Sequence, residues 1–419
     1  MKDLKIFTNN IEDKAKEQIN LLLEQEAFKD SKVRIMPDVH AGKGCVIGFT
    51  GDLGDKVIPN IVGVDIGCGM LCVELGDIDL DLAKLDKVIR EYVPSGFNVH
   101  DERKTRFDKL QELKCYRELK DTKRLERSIG TLGGGNHFIE IDIDEDNNKY
   151  LVIHTGSRNL GKQVAEYYQE IANQLINYGK QEFIDKKNTL IKEYKEQGRK
   201  TEIQDALKEL NKEYLENKNK MPKDLCYLEG EHRENYLHDM KICQEFAEIN
   251  RYEIAITILS EYFNTRITMT ECGITEISSD NMCFEKVYNS FETIHNYISF
   301  EDNIVRKGAI SSKEGELLLI PMNMRDGCIL GVGKGNDDWN QSAPHGAGRI
   351  MSRNQAKETL SITDYEESMK DIYTTSVNLD TIDEAPMVYK PMQEIIDCIG
   401  DTVEIIKIIK PIYNFKASE

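Results

Sequence analysis

Two stretches of the chain alternate short apolar runs with glycine and proline. Residues 31–75 hold β-branched runs broken by Gly and Pro, and residues 128–160 hold the alternating run IEIDI, a polar DEDNN segment and the apolar run LVIHT. Short apolar runs bounded by turn residues are typical of strands joined by tight turns. The sequence therefore predicts a β-rich core segment in the first stretch and a hairpin in the second.

The apolar period becomes helical between about residues 162 and 262. Residues 183–215 are dense in Lys and Glu, and their apolar residues recur at spacings of three and four on both sides of a GRK segment. This pattern predicts a charged helical hairpin insert at about 175–225, projecting from the body. We expect it to be a solvated elaboration, with partner binding as the alternative. The more apolar residues 233–262 predict a helix packed on the core.

Residues 305–350 return to strands and glycine loops, and the tail beyond residue 385 alternates again in VEIIKIIKPIYNF. This alternation predicts a strand pair or an edge strand at the carboxyl end. No internal repeat is visible. We therefore predict an α+β fold in which residues 1–419 form a single large domain, with strands from both halves building a central β-rich core around a cleft.

Composition places the chain among ordinary globular proteins. The 419 residues are 40% hydrophobic and 31% charged, and no stretch reaches the roughly 18 apolar residues that would span a bilayer. The amino terminus has no apolar core behind its first lysine, so it lacks the pattern of a secretory signal. We expect a cytoplasmic protein with no membrane partner.

Charge limits the kinds of nucleic-acid contact. The chain has 55 basic and 74 acidic residues, a formal net charge of -19, which repels phosphate backbones at long range and argues against a non-specific nucleic-acid binder. Any RNA contact is therefore expected to be local. Ten cysteines are scattered without the CxxC pairs of a zinc ribbon, so we expect most of them to be reduced and structural.

Histidines are concentrated beside glycines. Five of the eight lie within two positions of a glycine, where the usual glycine frequency would give roughly two. Glycine permits unusual backbone angles and close approach of a ligand, so histidines on such loops are better placed for metals or phosphates than histidines on helices. Each of them singly is also consistent with a structural role. They are His40, His137, His154, His232 and His345.

Two glycine-rich segments place ligand-type residues close together. GVDIGCGM sets Asp65 and Cys68 three residues apart, which lets a carboxylate and a thiolate face one cation. A buried turn with a core cysteine would give the same pattern. GTLGGGNHFIE puts three glycines before Asn136 and His137, and Glu140 follows on the strand. The N–H groups of that glycine run can hold a phosphate, although plain loops also contain such runs.

Two further segments combine a histidine with arginine. In VIHTGSRNLG, His154 ends an apolar strand and Arg158 follows it, a planar cation suited to phosphate oxygens. In SAPHGAGRIMSR, His345 lies in a turn fixed by its Pro and Gly neighbours, with Arg349 and Arg353 at a helix start. A neutral imidazole there can attack an activated phosphorus, act as a general acid or base, or serve only in a capping turn.

Together these segments resemble the RtcB family of RNA-splicing and repair ligases. They follow the family's order from about residue 36 to 390, and Lys416 lies near the terminus, so the resemblance spans nearly the whole chain outside the charged insert. Several long glycine-rich motifs in order are far more specific than one short motif. The matching strings are MPDVHAGKG, GVDIGCGM, GTLGGGNHFIE, HTGSRNLG, HNY, RKGA, SAPHGAGRIMSR and DEAPMVYK.

The resemblance implies an RtcB-like domain whose cleft binds two manganese ions. Asp65 and His137 would bind one ion, His154 and His295 would bind the other, and Cys68 would bridge both. On affinity alone such a ligand set would take zinc more tightly, so the identity of the metal comes from the family. By itself, His295 in TIHNYIS has apolar neighbours that indicate a core histidine.

The same resemblance makes His345 the nucleophile that takes GMP from GTP, forming a phosphoramidate and releasing pyrophosphate. Arg158, Arg349 and Arg353 would hold RNA phosphates. The implied nucleotide contacts are Asn136, His137, Phe138, Ile139, Glu140, His295, Asn296, Pro321, Met322, Asn323, Met324, Cys328, Gly346, Ala347, Gly348 and Lys416.

The implied reaction belongs to RNA repair or tRNA splicing. It joins a broken RNA end bearing a 2',3'-cyclic phosphate or 3'-phosphate to an end bearing a 5'-hydroxyl, with GTP as the second substrate. The resemblance also introduces an archease-type activator as a further partner to consider. Two manganese ions would suit each in-line displacement by holding the attacking and leaving oxygens.

One segment departs from the family pattern. IPMNMRDGCILGVGKG stands where the family has a glycine- and serine-bearing stretch, with Cys328 in the place of a serine, so nucleotide preference or ligation efficiency could differ. Two other function classes stay open. One is a metal-dependent phosphoesterase that processes RNA ends without sealing them, and the other is a non-catalytic RNA-end binder, which the intact ligand set disfavours.

Overall fold

Strands and helices are both abundant in the computed structural model, which describes residues 3–178, 180–216, 221–271, 273–277 and 284–417. The strands are β1 (Leu4–Ile6), β2 (Val33–His40), β3 (Ile47–Asp52), β4 (Gly69–Gly76), β5 (Phe138–Ile143), β6 (Lys149–Thr155), β7 (Arg266–Thr270), β8 (Gly273–Ile277), β9 (Phe284–Tyr288), β10 (Ser290–Ile294), β11 (Asn296–Ile298), β12 (Ile304–Lys307), β13 (Ala309–Ser311), β14 (Leu317–Asn323), β15 (Gly327–Gly333), β16 (Ser342–Pro344), β17 (Tyr373–Thr374) and β18 (Val403–Lys416). The helices are α1 (Asp13–Leu23), α2 (Pro59–Val62), α3 (Leu82–Tyr92), α4 (Thr122–Glu126), α5 (Arg158–Tyr178), α6 (Lys180–Glu196), α7 (Ile203–Glu216), α8 (Gly230–Phe263), α9 (Arg353–Thr359), α10 (Ile362–Ser368) and α11 (Met392–Ile399). The mixed α+β class predicted from the sequence is confirmed.

The largest sheet is nearly barrel-shaped. Its strands follow the order β10, β4, β6, β5, β18, β15 and β14, with β17 pairing on β18. The two ends of this path approach each other, because the Leu319 amide on β14 donates to Thr293 Oγ1 on β10 at 3.1 Å. A second sheet has the order β1, β2, β3, β12 and β11. Near closure leaves an interior lined by alternate residues of each strand.

The predicted hairpin at 128–160 is confirmed by the antiparallel pairing of β5 with β6, from Phe138 opposite His154 to Ile143 opposite Lys149. The predicted strand pair or edge at the carboxyl end is wrong. The tail forms one 14-residue strand, β18, that pairs with β5 on one side and β15 on the other. The pairing register shifts between Pro411 and Tyr413, where proline cannot donate to the ladder.

The apolar stretch at 233–262 forms the long helix α8, as predicted. Its buried residues Ile254 and Ile258 pack with Leu71, Leu151 and Ile153 on one face of the large sheet. One side of α8 is therefore buried, and its Arg251 side chain donates to the Gly67 carbonyl in the turn before β4. This helix supports one face of the barrel-like sheet.

The charged segment predicted at about 175–225 contains the end of α5 and the helices α6 and α7, which contact each other. Residues 179 and 217–220 of this segment lie outside the described residues. The described side chains of both helices are mostly exposed, consistent with their Lys and Glu content. Among the helices of the described chain, none combines the length and the apolar character that a membrane span requires.

Leu151 offers a test of the sheet core. It is fully buried and lies opposite Val73 and Ile141 on the neighbouring strands. Leu151→Ala should lower the free energy of unfolding by roughly 2–5 kcal/mol, measured by urea denaturation. Ile406→Ala on β18, where the side chain is 49% exposed, is the control and should cost less than about 1 kcal/mol. Equal losses in the two variants would contradict this account of the core.

Candidate functional site

The turn before β4 brings Asp65 and Cys68 toward the end of the large sheet. Gly67 in this turn has φ +74, a conformation that residues with a side chain rarely adopt, and a Cβ there would lie 3.0 Å from Ala247 Cβ on α8. The Cys68 carbonyl accepts a hydrogen bond from the His295 amide at 2.9 Å. The glycine turn and this backbone contact therefore place His295, from the segment between β10 and β11, beside Cys68.

Four predicted ligand residues meet around the thiol of the fifth, Cys68. One group joins Cys68 with Asp65 and His137, and a second joins Cys68 with His154 and His295; within each group the candidate ligand atoms lie within 4.8 Å of one another. Cys68 Sγ is 3.5 Å from His137 Nε2 and 3.3 Å from His154 Nε2. His154 Nε2 is also 3.4 Å from His295 Nε2. The residues chosen for one cleft are brought together in space.

Hydrogen bonds orient two of these imidazoles. His137 Nδ1 donates to the Leu132 carbonyl at 2.9 Å, and His154 Nδ1 donates to the Asn136 carbonyl at 3.0 Å. Since each Nδ1 donates in these bonds, Nε2 is the ring nitrogen that faces the cluster. His154 Nε2 faces Cys68, and His137 Nε2 lies 2.9 Å from Asp65 Oδ2 as well as near Cys68. Histidines that bind metals are commonly held in this way.

Burial changes the pKa values of the ligand-type residues around Cys68 in a way that favours a bound metal cation. It lowers the pKa of His154 and His295 well below the usual range, so both imidazoles are neutral. Burial and the charge of Asp65 raise the pKa of the Cys68 thiol. His295 Nδ1 has no hydrogen-bond partner among the described residues. Facing lone pairs, a carboxylate and a thiol are a donor set that fits divalent metal ions.

His345 lies on the other side of His295, with a ring-centroid distance of 4.9 Å. Asp38 on β2 binds it twice. Asp38 Oδ2 is 2.6 Å from His345 Nδ1 and also accepts a hydrogen bond from the His345 amide at 3.1 Å. Asp38 is fully buried, whereas the His345 side chain is 19% exposed. The carboxylate thus fixes the ring through Nδ1, and Nε2 is the ring nitrogen left to meet a ligand.

A cavity of about 450 Å³ opens beside His345. Its wall contains side chains from both sheets and from the loop that follows β16. This volume is in the range of small-molecule sites. The predicted site residues that line it are Asn136, Phe138, Glu140, His154, His295, Pro321, Met322, Asn323, Met324, His345, Gly346, Ala347, Gly348, Arg349, Arg353 and Lys416.

Other predicted nucleotide contacts lie off the cavity wall. Ile139 is fully buried in the apolar cluster on the opposite face of β5. Cys328 is fully buried inside the large sheet. Asn296 accepts a hydrogen bond from the Gly308 amide through Oδ1, and His137 lies in the cluster around Cys68.

A buried carboxylate organises the cations on the cavity wall. Glu384 accepts hydrogen bonds from Lys416 Nζ at 2.7 Å and from the Tyr389 hydroxyl at 2.6 Å. Its other oxygen lies 2.6 Å from Arg353 Nη1 and 3.2 Å from Arg349 Nη1. Burial opposes ionisation, but the three cations dominate and lower the pKa of Glu384 to about 2. The Glu384 carboxylate is therefore ionised at neutral pH.

The three arginines predicted to hold RNA phosphates are already engaged. Arg158 donates to Thr131 Oγ1 and to the Gly96 carbonyl. Arg349 and Arg353 pair with the acidic residues at 383 and 384. The Arg353 side chain is 42% exposed and the Arg349 side chain 13% exposed, so Arg353 has the greater access to a ligand.

Three residues of this site received no role from the sequence. They are Asp38, Glu384 and Tyr389, and they belong to the matched strings MPDVHAGKG and DEAPMVYK. Their membership of those strings was the only available signal. Their roles depend on partners up to 307 positions away in the sequence, which no local pattern reports.

Comparison with known proteins gives one family. The family model described as tRNA-splicing ligase RtcB matches residues 25–120 and 113–417 of this chain. The chain is 28% identical over 412 residues to the RNA-splicing ligase RtcB1 of Escherichia coli, covering 92% of this chain and 90% of that protein. It is 24% identical to the tRNA-splicing ligase RtcB of Nanoarchaeum equitans, covering 86% and 83%.

The shared thiol predicts a specific pattern of cation binding. Cys68→Ala should weaken binding at both ligand groups, whereas Asp65→Asn should weaken binding at one, because only Cys68 belongs to both. Calorimetric titration of the metal-free protein with manganese measures the affinity of each ligand group. The exposed His232→Ala is the control. Unchanged affinities in Cys68→Ala would show that cations bind elsewhere.

Glu384 predicts an acid-sensitive contribution to stability. Its pKa falls from 4.5 to about 2 on folding, so its stabilisation is present above pH 4.5 and is lost as pH falls toward 2. Glu384→Gln should lower the free energy of unfolding by about 3 kcal/mol at neutral pH, and the difference should shrink in acid. Urea unfolding at several pH values measures this. The exposed Glu404→Gln is the control; a loss independent of pH would contradict the ion-pair account.

Proposed function

The chain belongs to the RtcB family, and from that premise we propose that it is an RNA ligase of RNA repair or tRNA splicing. It joins ends bearing a 2',3'-cyclic phosphate or 3'-phosphate to ends bearing a 5'-hydroxyl. The names of its relatives support the ligase activity. The observation that carries the proposal for this chain is that His345, held by Asp38, lines a nucleotide-sized cavity together with His154 and His295 of the ligand groups around Cys68.

His345 is the proposed nucleophile. With its Nδ1 proton held by Asp38, Nε2 has a lone pair available for bonding. Nε2 attacks the α-phosphorus of GTP, an N–P bond forms, and the P–O bond to pyrophosphate breaks. Asp38 stabilises the positive charge that develops on the ring during this attack. The product is GMP attached to His345.

The RNA then replaces the histidine. A cyclic phosphate is first hydrolysed to a 3'-phosphate, whose oxygen attacks the phosphorus of the His345-bound GMP and releases the imidazole. The 5'-hydroxyl of the second RNA end attacks the activated 3'-phosphate, and GMP leaves. Atoms balance as one GTP consumed and one phosphodiester formed. The imidazole returns to its starting state.

Two manganese ions are the proposed metals. Asp65 and His137 would hold one, His154 and His295 the other, and Cys68 both, which fits the neutral imidazoles and the shared thiol described above. Bound there, divalent ions would neutralise charge on phosphate oxygens.

The cavity walls supply the proposed nucleotide and RNA contacts. Lys416, Arg349 and Arg353, held by Glu384, present positive charge to phosphate groups. This local cluster explains how an acidic chain can bind RNA. The proposed nucleotide contacts on the cavity wall are Asn136, Phe138, Glu140, His295, Pro321, Met322, Asn323, Met324, Gly346, Ala347, Gly348 and Lys416.

Transfer of label from GTP tests the proposed nucleophile. Wild-type protein incubated with manganese and GTP labelled at the α-phosphate should retain label after denaturation, and His345→Ala should retain none. Asp38→Asn should slow labelling roughly a hundredfold, because the ring loses the charge that orients and stabilises it. The rate of label incorporation is the measurement.

Asp55→Asn, an exposed carboxylate, is the matched control and should label at the wild-type rate. Absence of label on the wild-type protein, or equal label on His345→Ala, would contradict the ligase mechanism. Opening of a cyclic phosphate without any protein label would instead identify the phosphoesterase alternative.

A further inference from the structure

Two carboxyl groups lie one behind the other beneath the cavity. Phe138, Glu140 and Asp142 alternate along β5 and so share one face of the strand. Phe138 and Glu140 line the cavity, and Asp142 lies beyond its wall. Glu140 is 2% exposed and Asp142 is fully buried. The second carboxyl group therefore has contact with neither solvent nor the cavity.

The two groups are close and incompletely satisfied. One oxygen of Glu140, one oxygen of Asp142 and Cys328 Sγ lie within 4.8 Å of one another. Glu140 Oε1 accepts a hydrogen bond from Asn414 Nδ2 at 2.5 Å. In the part of the chain that the structure describes, no N–H or O–H group donates to either oxygen of Asp142, and Asn414 Oδ1 has no partner. The Cys328 thiol is the one polar hydrogen beside the Asp142 carboxyl group among these residues. Buried polar atoms without partners are rare and costly.

The groups that face Asp142 from neighbouring strands are neutral. Cys328 on β15 and Cys72 on β4 are buried thiols, and burial raises the pKa of both. Tyr150 lies opposite Asp142 on β6, and its hydroxyl donates to Asp144 instead. None of these groups supplies a positive charge.

The nearby cations are committed to other carboxylates. Lys416 Nζ is 2.7 Å from Glu384, and Lys407 Nζ is 2.8 Å from Asp144. Among the described residues, no ion pair involves Glu140 or Asp142. Two adjacent carboxylates in a buried site cannot both be ionised without a large electrostatic cost, and such pairs retain a proton.

We propose that Glu140 and Asp142 share one proton, which lies on Glu140 when the cavity is empty and moves to Asp142 when a nucleobase with N–H donors binds beside Glu140. The proposal rests on the nucleotide-binding role of the cavity and makes Asp142 a positioning residue. The O–H bond of Glu140 breaks, an O–H bond forms on Asp142, and the number of protons on the pair is unchanged.

This exchange selects the base by its hydrogen-bonding edge. Guanine presents two adjacent donors, N1–H and the N2 amino group, which a carboxylate accepts and a protonated carboxyl group cannot fully accept. Adenine presents an acceptor beside a donor on the same edge. Because Asp142 can take up the proton, Glu140 ionises when the N–H donors of a bound base face it. The proton passes to Asp142 and does not leave the protein.

The acid–base character of the pair supports this assignment. Burial raises the pKa of Glu140, and the charge of Asp142 raises it further. Burial raises the pKa of Asp142 to about 7. Glu140 is thus the first of the two to hold a proton in the empty cavity, and Asp142 accepts one readily near neutrality.

Proton counting during GMP binding tests the proposal. Calorimetric titration of the manganese-loaded protein with GMP, about one pH unit above neutrality in buffers of different ionisation enthalpy, gives the protons released per nucleotide. At that pH Asp142 is mostly ionised in the empty cavity and can accept the proton of Glu140. Asp142→Leu removes the acceptor without adding a donor, so it should release about one proton more than wild type. The exposed Asp146→Asn is the control and should match wild type.

Equal proton release from wild type and Asp142→Leu would overturn the proton exchange and leave the ligase proposal intact. No binding of GMP to wild type would overturn both. If Asp142→Leu does not fold, infrared difference spectroscopy of the wild-type protein tests the proton exchange instead.

A protonated-carboxyl band that shifts on GMP addition but keeps its intensity supports the exchange. Absence of that band before GMP, or a metal ion retained between the two carboxyl groups, overturns it.

Discussion

The thiol of Cys68 is the group on which the geometry of the site depends. In the described part of the chain, the Cys68 thiol belongs to both ligand groups. The backbone carbonyl of Cys68 also accepts a hydrogen bond from the His295 amide. Burial lowers the pKa of His154 and His295, which keeps both imidazoles neutral, and it raises the pKa of the Cys68 thiol. A divalent cation lowers the cost of forming a thiolate there. On the proposed function, binding of metal ions would therefore be linked to the arrangement of the cleft through the sulfur atom of Cys68.

A second constraint is that two groups of charged residues share the cleft. The ligand-type residues meet around Cys68, and three cations are held by the buried carboxylate of Glu384. His345, oriented by Asp38, lies next to His295 of the first group. A phosphate in the cavity would meet the positive charge of Arg349, Arg353 and Lys416 on its wall. The overall acidity of the chain is compatible with RNA binding because this positive field is local.

The sequence predicted local elements better than long-range pairing. The hairpin of β5 and β6 and the helix α8 follow from periodicity within a single stretch. The position of β18 could not be predicted, because alternation in VEIIKIIKPIYNF shows a strand without showing that β5 and β15 flank it. The strands between residues 266 and 298 were not predicted, since their short runs mix apolar and polar residues.

The candidate site shows the same division. Glycine beside histidine drew attention to His137, His154 and His345, because that pattern is local. His295 has an apolar neighbourhood and was chosen only through the family resemblance. The pairing of Asp38 with His345 joins residues 307 positions apart. Cys328 was expected near the nucleotide, but its place on β15 directs the side chain into the sheet interior beside Asp142.

Anomalous diffraction from manganese-soaked crystals tests the central claim most directly, because it locates the ions without reference to activity. We predict two peaks on either side of Cys68 Sγ, one within bonding distance of Asp65 and His137 and the other within bonding distance of His154 and His295. A single peak, or a pair of peaks that does not share Cys68, would contradict the account.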